Sequence, residues 1–370
     1  MSTHKDNRLR ILHVIAGMNR GGAETFVMNV FRTIDRNKFQ FYFLCFSDKH
    51  FDYEDEIKQL GGEIIRIPDV KKIGIVSHIK AIKSVIEDNS IDIVHAHTYY
   101  NSAFSLIAAK KAGVSTRIVH SHNTMSEVNP SLVKKVYFAL SKLTIRHYAT
   151  KRIACAKEAG YALFGRGNNF IVINNGIDLS RFSYKPAIRK DARAELNIPQ
   201  NATVLLNIAR FQEVKNHTYL IDVFKEYIKI HPNSHLLLVG DGQLRNTIEN
   251  KVRKLKLNNC VSFTGVRSDT EKMYNSADVF VMPSIFEGLP VALIEAQANG
   301  LPCIVSDSID HDVKLNDNFN FLNIHLAPSK WASAIKLCKK RRGQKSHKLD
   351  ELYNIENIVK QLASIYKEVS

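Results

Sequence analysis

The sequence has no long hydrophobic run and no paired cysteine motif. No stretch reaches the roughly 20 consecutive apolar residues that a membrane-spanning helix needs. The cysteines are scattered, without a C-x-x-C motif, at Cys45, Cys155, Cys260, Cys303 and Cys338. An odd number of unpaired cysteines predicts reduced, buried thiols and a cytoplasmic protein. The first ten residues are polar and charged, so we expect no secretory signal.

Residues that break regular structure are also scarce. With 9 prolines, 17 glycines and 45% hydrophobic residues in 370, the composition argues against long disordered segments and against a fibrous protein. The chain is long for one compact domain and has enough apolar content for two cores. We therefore predict two globular domains.

Acidic residues are fewer than basic ones. The chain carries 52 Lys and Arg against 36 Asp and Glu, a formal net charge of +16. This excess favours a polyanionic partner, such as a nucleic acid, an acidic lipid surface or an anionic small molecule. A merely solvated basic surface explains the charge equally well, and composition leaves both interpretations open.

The apolar runs alternate with amphipathic segments as in a doubly wound α/β domain. In the first half, strands are predicted at 9–16, 39–46, 63–67, 91–95 and 117–120, with helices at 24–34, 79–86 and 103–112. The pattern restarts with strands at 204–208, 235–239, 261–263, 279–282 and 302–305, and with helices at 217–230, 244–255 and 290–298. Ligands of such sheets bind beyond the carboxyl ends of the strands.

The predicted domains are therefore similar in size. The first spans 1–182, and the second spans 183–345 with a polar linker at 183–200. We expect 346–370 to form a C-terminal helix that returns towards the first domain.

The most informative segment runs from Ser284 to Pro290, in the letters SIFEGLP, with Glu295 in the following helix. It follows a strand, and its proline is suited to the start of a helix. Free N–H groups at such a start bind phosphate. Glu295 is placed to accept hydrogen bonds from ribose hydroxyls, and Glu287 to reach a sugar. A capped helix with two surface glutamates is the alternative.

Two further strand ends carry groups suited to phosphate. Arg210 and Lys215 follow the strand at 204–208, where two cations suit a diphosphate and offset charge on a leaving group. Gly21 and Gly22 lie between the first strand and the first helix, where glycine lets the backbone approach a phosphate. Their spacing does not fit G-x-G-x-x-G, and a plain strand-to-helix turn is the alternative.

Two His-x-His elements also end strands. The pairs are His95 with His97 and His120 with His122, and alternation puts both members of a pair on one face. They fit either zinc ligands of a hydrolase or one catalytic histidine with structural neighbours. No further ligand motif supports zinc, so we expect no metal. We also discount 310–312 as a metal-binding D-x-D element, because so short a match occurs by chance.

Residues 134–157 interleave basic with apolar side chains, which is typical of a basic amphipathic helix. Such a helix binds an anionic membrane surface. A helix with a solvated basic face is the alternative.

Together these motifs resemble the retaining family 4 glycosyltransferases of the GT-B fold, especially bacterial enzymes that build exopolysaccharide or capsular repeat units. The resemblance covers essentially the whole chain. It rests on GGAE, VHAH, HSHNT, NNGID, ARFQEVKNH, LLLVGDGQLR, FTGVRSD and VMPSIFEGLPVALIEAQANGLPCIVSDS. The last segment holds the family's Glu-x7-Glu signature as Glu287 and Glu295. Ala209 departs from the family's usual glycine, which we do not expect to abolish binding.

The resemblance implies two Rossmann-like α/β/α domains that face each other across a cleft. It assigns the donor diphosphate to Arg210 and Lys215, the ribose to Glu295, and the base to the main chain of Val266. The transferred sugar and phosphates fall to Glu287 and to Gly288, Leu289 and Pro290. Gly22 would bring a backbone N–H to the phosphate. His122 would lie beside the donor sugar, with His120 as the competing choice and Ser284 as a further candidate.

The implied reaction is metal-independent, retaining transfer from a nucleotide diphosphate sugar, expected to be a UDP-sugar, to a lipid-linked glycan acceptor. No cofactor is expected, and peripheral contact with the inner face of the membrane would suit such an acceptor. A sugar-nucleotide epimerase of the same fold is the alternative enzyme. A nucleic-acid-binding protein is disfavoured because the positive charges are dispersed and no finger, RNP-like stretch or basic helix-turn-helix is found.

Overall fold

The structure is a computed structural model that describes residues 7–123, 130–287, 290–338, 342 and 347–368. The chain divides into two compact units. The first comprises Met1–Ile177 and Ile355–Ser370, and the second Asp178–Asn354. Each unit is built on a parallel sheet, which confirms the predicted α/β class.

The first unit contains a seven-stranded sheet in the order β3-β2-β1-β4-β5-β6-β7. Its strands are β1 (Leu9–Val14), β2 (Phe39–Cys45), β3 (Glu63–Arg66), β4 (Ile93–Ala96), β5 (Thr116–Ser121), β6 (Lys151–Ala154) and β7 (Ile171–Val172). The helices between them are α1 (Gly22–Thr33), α2 (Glu54–Gln59), α3 (Val70–Ile73), α4 (Ile75–Asp88), α5 (Ser102–Lys111), α6 (Leu132–Tyr148) and α7 (Lys157–Phe164).

Helices cover both faces of this sheet, which explains why its strands are apolar on both sides. All seven residues of β2 are buried. Alternation along β1 sends Ile11 into a core with α1 and Leu12 into a second core with α4 and α5. Both cores therefore depend on the same short strands.

The second unit contains a six-stranded sheet in the order β10-β9-β8-β11-β12-β13. Its strands are β8 (Thr203–Ile208), β9 (Ser234–Val239), β10 (Val261–Phe263), β11 (Val279–Met282), β12 (Cys303–Ser306) and β13 (Phe319–Leu322). Its helices are α8 (Pro186–Glu195), α9 (His217–Ile230), α10 (Arg245–Lys254), α11 (Thr270–Ser276), α12 (Val291–Ala298), α13 (Pro328–Leu337) and α14 (His347–Tyr353).

The last helix, α15 (Ile355–Lys367), belongs to the first unit. Its residues Ile358, Leu362 and Tyr366 are buried in the core that α1 forms with the sheet. The backbone N–H of Ile355 donates to the carbonyl of Ile177 at 3.0 Å, close to where the chain passes between the units. Among the described helices, none is long and apolar enough to cross a membrane.

Two sequence-based interpretations of charged segments are wrong. The polar stretch at 183–200 is no linker, because it contains α8, where the buried Arg193 bonds Asp278 at 2.8 Å. Residues 134–157 are not one helix. They comprise most of α6, then β6, and end at the first residue of α7. The charged residues at these positions include Arg193, which forms an ion pair with Asp278, and residues of β6, which lies next to the edge strand β7.

Candidate active site

The second sheet has its topological switch point between β8 and β11, where the strand order reverses. The loops that follow these two parallel, neighbouring strands leave from the same edge of the sheet. One loop carries Arg210 and Lys215, and the other carries Ser284 and Glu287. In open α/β sheets such a point is the usual ligand site. Here the topology brings together Lys215 and Glu287, which are 72 positions apart in the sequence.

Lys215 and Glu287 are bonded to each other. The Lys215 Nζ lies 2.6 Å from both carboxylate oxygens of Glu287, and the Ser284 hydroxyl donates to Glu287 Oε1 at 2.8 Å. A backbone hydrogen bond of 2.8 Å from Ile285 to Val214 holds the two loops together. The cation predicted for the diphosphate and the carboxylate predicted for the sugar thus form one charge-paired group. A phosphate that binds Lys215 competes with Glu287 for this cation.

Arg210 is the cation that remains available. Its side chain is exposed, and within the described part of the chain it forms no hydrogen bond or ion pair. The backbone around it is tightly packed, because a Cβ at Gly240 would lie 2.1 Å from the carbonyl oxygen of Ala209. Gly240 has a φ of +133°, a conformation that favours glycine. The loop after β9 therefore supports the loop that presents Arg210.

The loop after β11 leads into α12, which begins at Val291 and has Pro290 as its N-cap residue. No side chain caps this N-terminus, so its first N–H groups are not bound by a capping side chain. Pro290 therefore lies one position before the helix, where the sequence had placed it inside. Gly288 and Leu289, predicted to contact the donor, lie outside the described residues.

Glu295 of α12 is bonded to a tyrosine that the sequence analysis missed. The Tyr274 hydroxyl lies 2.7 Å from Glu295 Oε2 and 2.9 Å from the carbonyl oxygen of Ala292. Burial raises the pKa of Glu295 to about 7, with Tyr274 opposing the shift. A protonated Glu295 satisfies both contacts, since it donates to Tyr274, which in turn donates to Ala292. The ionised form leaves Tyr274 with one hydrogen for two acceptors.

The unfavourable ionisation of Glu295 predicts an effect on the stability of the protein. We expect Glu295→Gln to raise the free energy of unfolding at pH 8 by about 1–3 kcal/mol, because the neutral amide replaces a carboxylate whose ionisation is opposed. The folded pKa of about 7 lies above the ordinary 4.5, so wild-type stability falls as pH rises between these values. Urea unfolding at pH 5 and pH 8 measures the difference, which should be small at pH 5.

The matched control is Glu226→Gln, because Glu226 forms an ion pair with Lys229 on the surface of α9. This control should show no such gain at pH 8. Equal free energies of unfolding for wild type and Glu295→Gln at pH 8 would contradict the raised pKa of Glu295.

Val266 lies in the loop after β10, at the same edge of the sheet as the groups above. Its side chain is 60% exposed, so it is not held in the core. The backbone next to it is fixed by a bridge between Gly240 and Gly265. The main chain at Val266 therefore lies next to this bridge and beside an exposed side chain. This position is compatible with the predicted contact between the main chain and a base.

In the first unit the strand order reverses between β1 and β4. Gly22 begins α1, the first helix after β1, and the N-cap residue Gly21 has no side chain to cap it. A Cβ added to Gly22 would meet no atom within 4 Å. The open space beside Gly22 at the start of this helix fits the predicted approach of a phosphate.

The histidine cluster lies at the carboxyl ends of β1, β4 and β5. Its members are His13, His95, His97, His120 and His122. Nδ1 of His13 lies 3.1 Å from Nε2 of His97, and Nδ1 of His97 lies 2.9 Å from Nε2 of His122. Burial lowers the pKa of His122 to about 4 and that of His13 and His97 well below the ordinary value. These imidazoles are therefore neutral at neutral pH.

His120 and His122 differ in access. His120 is fully buried, with its ring 4.1 Å from that of His122 and 5.5 Å from that of His95. His122 keeps partial exposure. A ligand can thus reach His122 more readily than His120, which favours His122 as the functional member of the pair.

Two groups of three histidines bring their ring nitrogens within 4.8 Å of one another, namely His13, His95 and His97, and His97, His120 and His122. Among the described residues these are the only such groups. His97 belongs to both groups, and both of its ring nitrogens are already in hydrogen bonds. A metal ion bound by His97 in either group would break one of them. The arrangement therefore favours hydrogen-bonded imidazoles over a metal site.

Comparison with known proteins identifies the family of this chain. Residues 20–181 match the model for Glycosyltransferase Family 4, and residues 188–359 match that for Glycosyl transferases group 1. EpsF of Bacillus subtilis (strain 168), which is named as a glycosyltransferase, is 38% identical over 309 residues, covering 82% of this chain and 80% of EpsF. The chain belongs to the family 4 glycosyltransferases. It is therefore a glycosyltransferase with the predicted enzyme class.

Two further relatives of this family 4 glycosyltransferase are named as a galactosyltransferase and as a capsular polysaccharide biosynthesis enzyme. The Escherichia coli UDP-Gal:alpha-D-GlcNAc-diphosphoundecaprenol alpha-1,3-galactosyltransferase is 31% identical over 346 residues, which are 88% of this chain and 86% of that protein. The capsular polysaccharide biosynthesis glycosyltransferase CapH of Staphylococcus aureus is 27% identical, with 97% of this chain and 98% of CapH covered.

Solved structures confirm the GT-B fold of this glycosyltransferase. HepE from Anabaena, crystallised in complex with UDP, has a TM-score of 0.80 at 18% identity, with 97% of this chain and 100% of that chain covered. Sucrose-phosphate synthase from Thermosynechococcus elongatus has a TM-score of 0.74 at 19% identity, with 98% and 99% covered. At these identities the likeness concerns the fold alone.

Proposed function

We propose that this glycosyltransferase transfers a hexose or N-acetylhexosamine from a UDP-sugar to a lipid-linked glycan acceptor in exopolysaccharide or capsule synthesis. The observation that carries the proposal is the group of Arg210, Lys215, Glu287 and Glu295 at the switch point of the second unit. The names of the Escherichia coli relative and of CapH support the substrate class, and the UDP bound to HepE supports the nucleotide.

In this proposal the second unit binds the nucleotide diphosphate. Arg210, Lys215 and the free N–H groups that begin α12 offset the charge that develops on the diphosphate as its bond to the sugar breaks. Glu295 accepts hydrogen bonds from the ribose hydroxyls. The acceptor oxygen then bonds the same sugar carbon with retained configuration, and its proton leaves with the nucleotide. These cations supply the charge that a metal ion would otherwise provide, so we propose a metal-independent reaction.

The test is donor binding and donor-dependent release of nucleotide with EDTA present. UDP-GlcNAc, UDP-Glc, UDP-Gal and GDP-Man are titrated against wild type, Glu295→Ala and the surface control Glu226→Ala. We expect one donor to bind and release its nucleotide slowly, independently of EDTA. Glu295→Ala should weaken binding about 10- to 100-fold because it removes charge-assisted hydrogen bonds to ribose. The control should leave binding unchanged.

Three other outcomes would overturn parts of the proposal. If no nucleotide sugar binds, the donor assignment is wrong. If the product is an altered free nucleotide sugar formed without acceptor, the enzyme is an epimerase. Loss of activity in EDTA would contradict metal independence and return attention to the histidine cluster.

A surface of α6 supports contact with a membrane. The helix buries Ser141 and Ile145 against the first unit, whereas five apolar side chains on another face are 52–79% exposed. These side chains are Leu132, Val133, Val136, Leu140 and Leu143. Their spacing places them on one stripe of the helix. Lys135, Lys142 and Arg146 flank the stripe, as expected for a helix that inserts apolar groups into an anionic lipid surface.

We therefore expect the protein to cosediment with vesicles that contain anionic phosphatidylglycerol. The triple variant Lys135→Gln, Lys142→Gln, Arg146→Gln should bind about 100-fold more weakly, because each basic residue near such a surface contributes about 1 kcal/mol. Leu140→Ser with Leu143→Ser should also bind more weakly. The matched control is Leu337→Ser on α13, which removes a leucine that is 82% exposed.

Equal binding of the variants and wild type would contradict the membrane contact. Self-association of wild type that Leu140→Ser with Leu143→Ser abolishes, without vesicle binding, would instead identify a second copy of this chain as the partner of the stripe.

A further inference from the structure

The first unit contains an open pocket between α6, α7 and β6. Its volume is about 190 Å³, including the solvent at its mouth. A water molecule occupies about 30 Å³ in the liquid, so the pocket has room for a tetrahedral anion. The side chains that line it include three basic residues and three others, namely Lys142, Arg146 and Arg152, and Ile145, Leu163 and Asn168. We call this space the basic pocket.

The basic pocket and the histidine cluster lie on opposite faces of the sheet. Ile153 of β6 belongs to the core that α1 covers. Alternation along the strand therefore turns the preceding Arg152 to the other face, where Ile145 of α6 packs with Leu163 of α7. His120 of β5 lies on the α1 face, against a phenylalanine of that helix. The basic pocket is thus separate from the candidate active site.

The guanidinium of Arg152 is bonded only to neutral groups. Nη1 donates to the carbonyl of Asn169 at 3.4 Å, and Nη2 donates to the carbonyl of Arg146 at 3.2 Å. Nε is buried and has no hydrogen-bond partner. A guanidinium has five N–H donors, and both of its acceptors here are distant. In the part of the chain that the structure describes, no carboxylate neutralises this charge.

Lys142 and Arg146 add two further positive charges to the basic pocket. They lie one turn apart on α6, so their side chains are neighbours. The Nζ of Lys142 lies 5.9 Å from the centre of the Tyr100 ring, and the side chain of Arg146 is exposed. Neither forms an ion pair with a described residue. Carboxylates are scarce nearby, since Glu158 is the only Asp or Glu between 130 and 177.

The base of the basic pocket is apolar. Ile145 is 1% exposed and Leu163 is fully buried. Charges interact more strongly beside such a region of low dielectric constant than in bulk water. Three positive charges around it repel one another, and a bound anion would replace this repulsion by attraction. The basic pocket therefore has the charge, the size and the hydrogen-bond donors of an anion-binding site.

We propose that the basic pocket binds one phosphate group through Arg152, Lys142 and Arg146. The planar donors of a guanidinium match phosphate oxygens, and an ammonium adds a point charge. The headgroup of an anionic phospholipid and a soluble phosphate ester share this chemistry. The site itself does not depend on the proposed sugar transfer, whereas its lipid source rests on the membrane contact of α6 proposed above.

The position of the basic pocket favours the lipid headgroup. On a helix with about 3.6 residues per turn, Lys142 and Arg146 lie between the buried Ile145 and the exposed apolar stripe. Leu140 and Leu143 of that stripe are 58% and 62% exposed. A phospholipid can place its phosphate in the pocket while its acyl chains lie along these leucines. A soluble phosphate ester would leave the leucines uncovered.

The first experiment locates the site by NMR and needs no activity. The protein is labelled with ¹⁵N in arginine, and the Nε–H resonance of Arg152 is identified by its loss in Arg152→Lys. It is titrated with glycerol 3-phosphate and with the short-chain lipid dihexanoylphosphatidylglycerol. We expect both to shift this resonance, the lipid at an about tenfold lower concentration because its chains contact the stripe. A shift at lower concentrations of glycerol 3-phosphate would assign the site to a soluble ester. No shift with either would overturn the proposal.

The second experiment separates phosphate recognition from general attraction to negative charge. Vesicles of an uncharged glycolipid contain either phosphatidylglycerol or oleate at equal surface potential. We expect wild type to cosediment about tenfold more strongly with phosphatidylglycerol, and Arg152→Gln to bind both alike. The matched control is Lys157→Gln, which removes an exposed cation at the start of α7 and should keep the preference. Arg152→Lys keeps the charge without the planar donors, so part of the preference should be lost.

The failure of this proposal and that of the membrane contact are distinguishable. If wild type binds both kinds of vesicle equally, the basic pocket does not recognise a phospholipid, although the membrane contact still holds. If wild type binds neither, the membrane contact fails, and a shift with glycerol 3-phosphate still supports a phosphate site. Thermal unfolding checks that each variant is folded. Lys142→Gln with Arg146→Gln changes only side chains of α6, and it should also abolish the preference if Arg152→Gln does not fold.

Discussion

Lys215→Ala is expected to lower kcat for sugar transfer by about 1,000-fold, the upper range for loss of one group that stabilises developing negative charge. Lys215 lies at the switch point of the second sheet and holds its ammonium 2.6 Å from Glu287. Its removal takes away a cation from the diphosphate and leaves the mostly buried Glu287 carboxylate without its partner. That uncompensated charge would also repel an anionic donor. Steady-state kinetics with a saturating acceptor measures the effect.

Two variants separate this effect from a general loss of charge. Lys229→Ala removes a lysine from a surface pair with Glu226 on α9, and it should keep wild-type kinetics. Lys215→Arg keeps the charge but changes its geometry, and it should retain part of the activity. A kcat for Lys215→Ala within tenfold of wild type would show that Lys215 does not act on the leaving group.

Donor binding is expected to strengthen about tenfold between pH 6 and pH 8. The pKa of Glu295 is raised to about 7 by burial, and ribose hydroxyls donate to the ionised carboxylate more strongly than to the neutral acid. Binding therefore requires loss of a proton in the lower part of this range and becomes independent of pH above it. In the linked equilibrium, a bound donor should lower the pKa of Glu295. Calorimetric titration of the donor at several pH values measures both effects.

Glu295→Gln should bind the donor more weakly at pH 8 and lose this pH dependence, because an amide does not titrate. Tyr274→Phe tests the neighbouring hydroxyl, and it should move the pH midpoint while leaving donor affinity at pH 9 close to that of wild type. Glu226→Gln again serves as the surface control. The same midpoint in wild type and Glu295→Gln would assign the titration to another group.

Much of the fold could be predicted because its strands are buried on both faces. The run 279–282 is apolar throughout and 204–208 is apolar except for Asn207, and the structure places β11 and β8 there. The prediction failed where charge is buried. The segment 183–200 carries several charges and looked like a linker, yet α8 packs into the second unit through Arg193. Charge content alone does not show whether a partner such as Asp278, 85 positions away, neutralises it.

The candidate site was predicted through local motifs, and its partners were not. Lys215, Glu287 and Glu295 stand in segments with recognisable turn and helix-start residues, so they could be chosen from the sequence. Tyr274 could not be assigned a role in this way. Tyr274 lies 21 positions before Glu295 on another helix, and no spacing rule links them.

The two α/β units, the strand ends that carry cations and carboxylates, and the family could all be inferred from the sequence. These features depend on local pattern, since strand burial, turn residues and helix starts are set within a few neighbouring positions. Which groups are paired, which histidine is accessible and which carboxyl has a raised pKa could be learned from the folded structure alone. Such properties depend on distances between strands and on burial, which arise when the sheet order brings remote residues together.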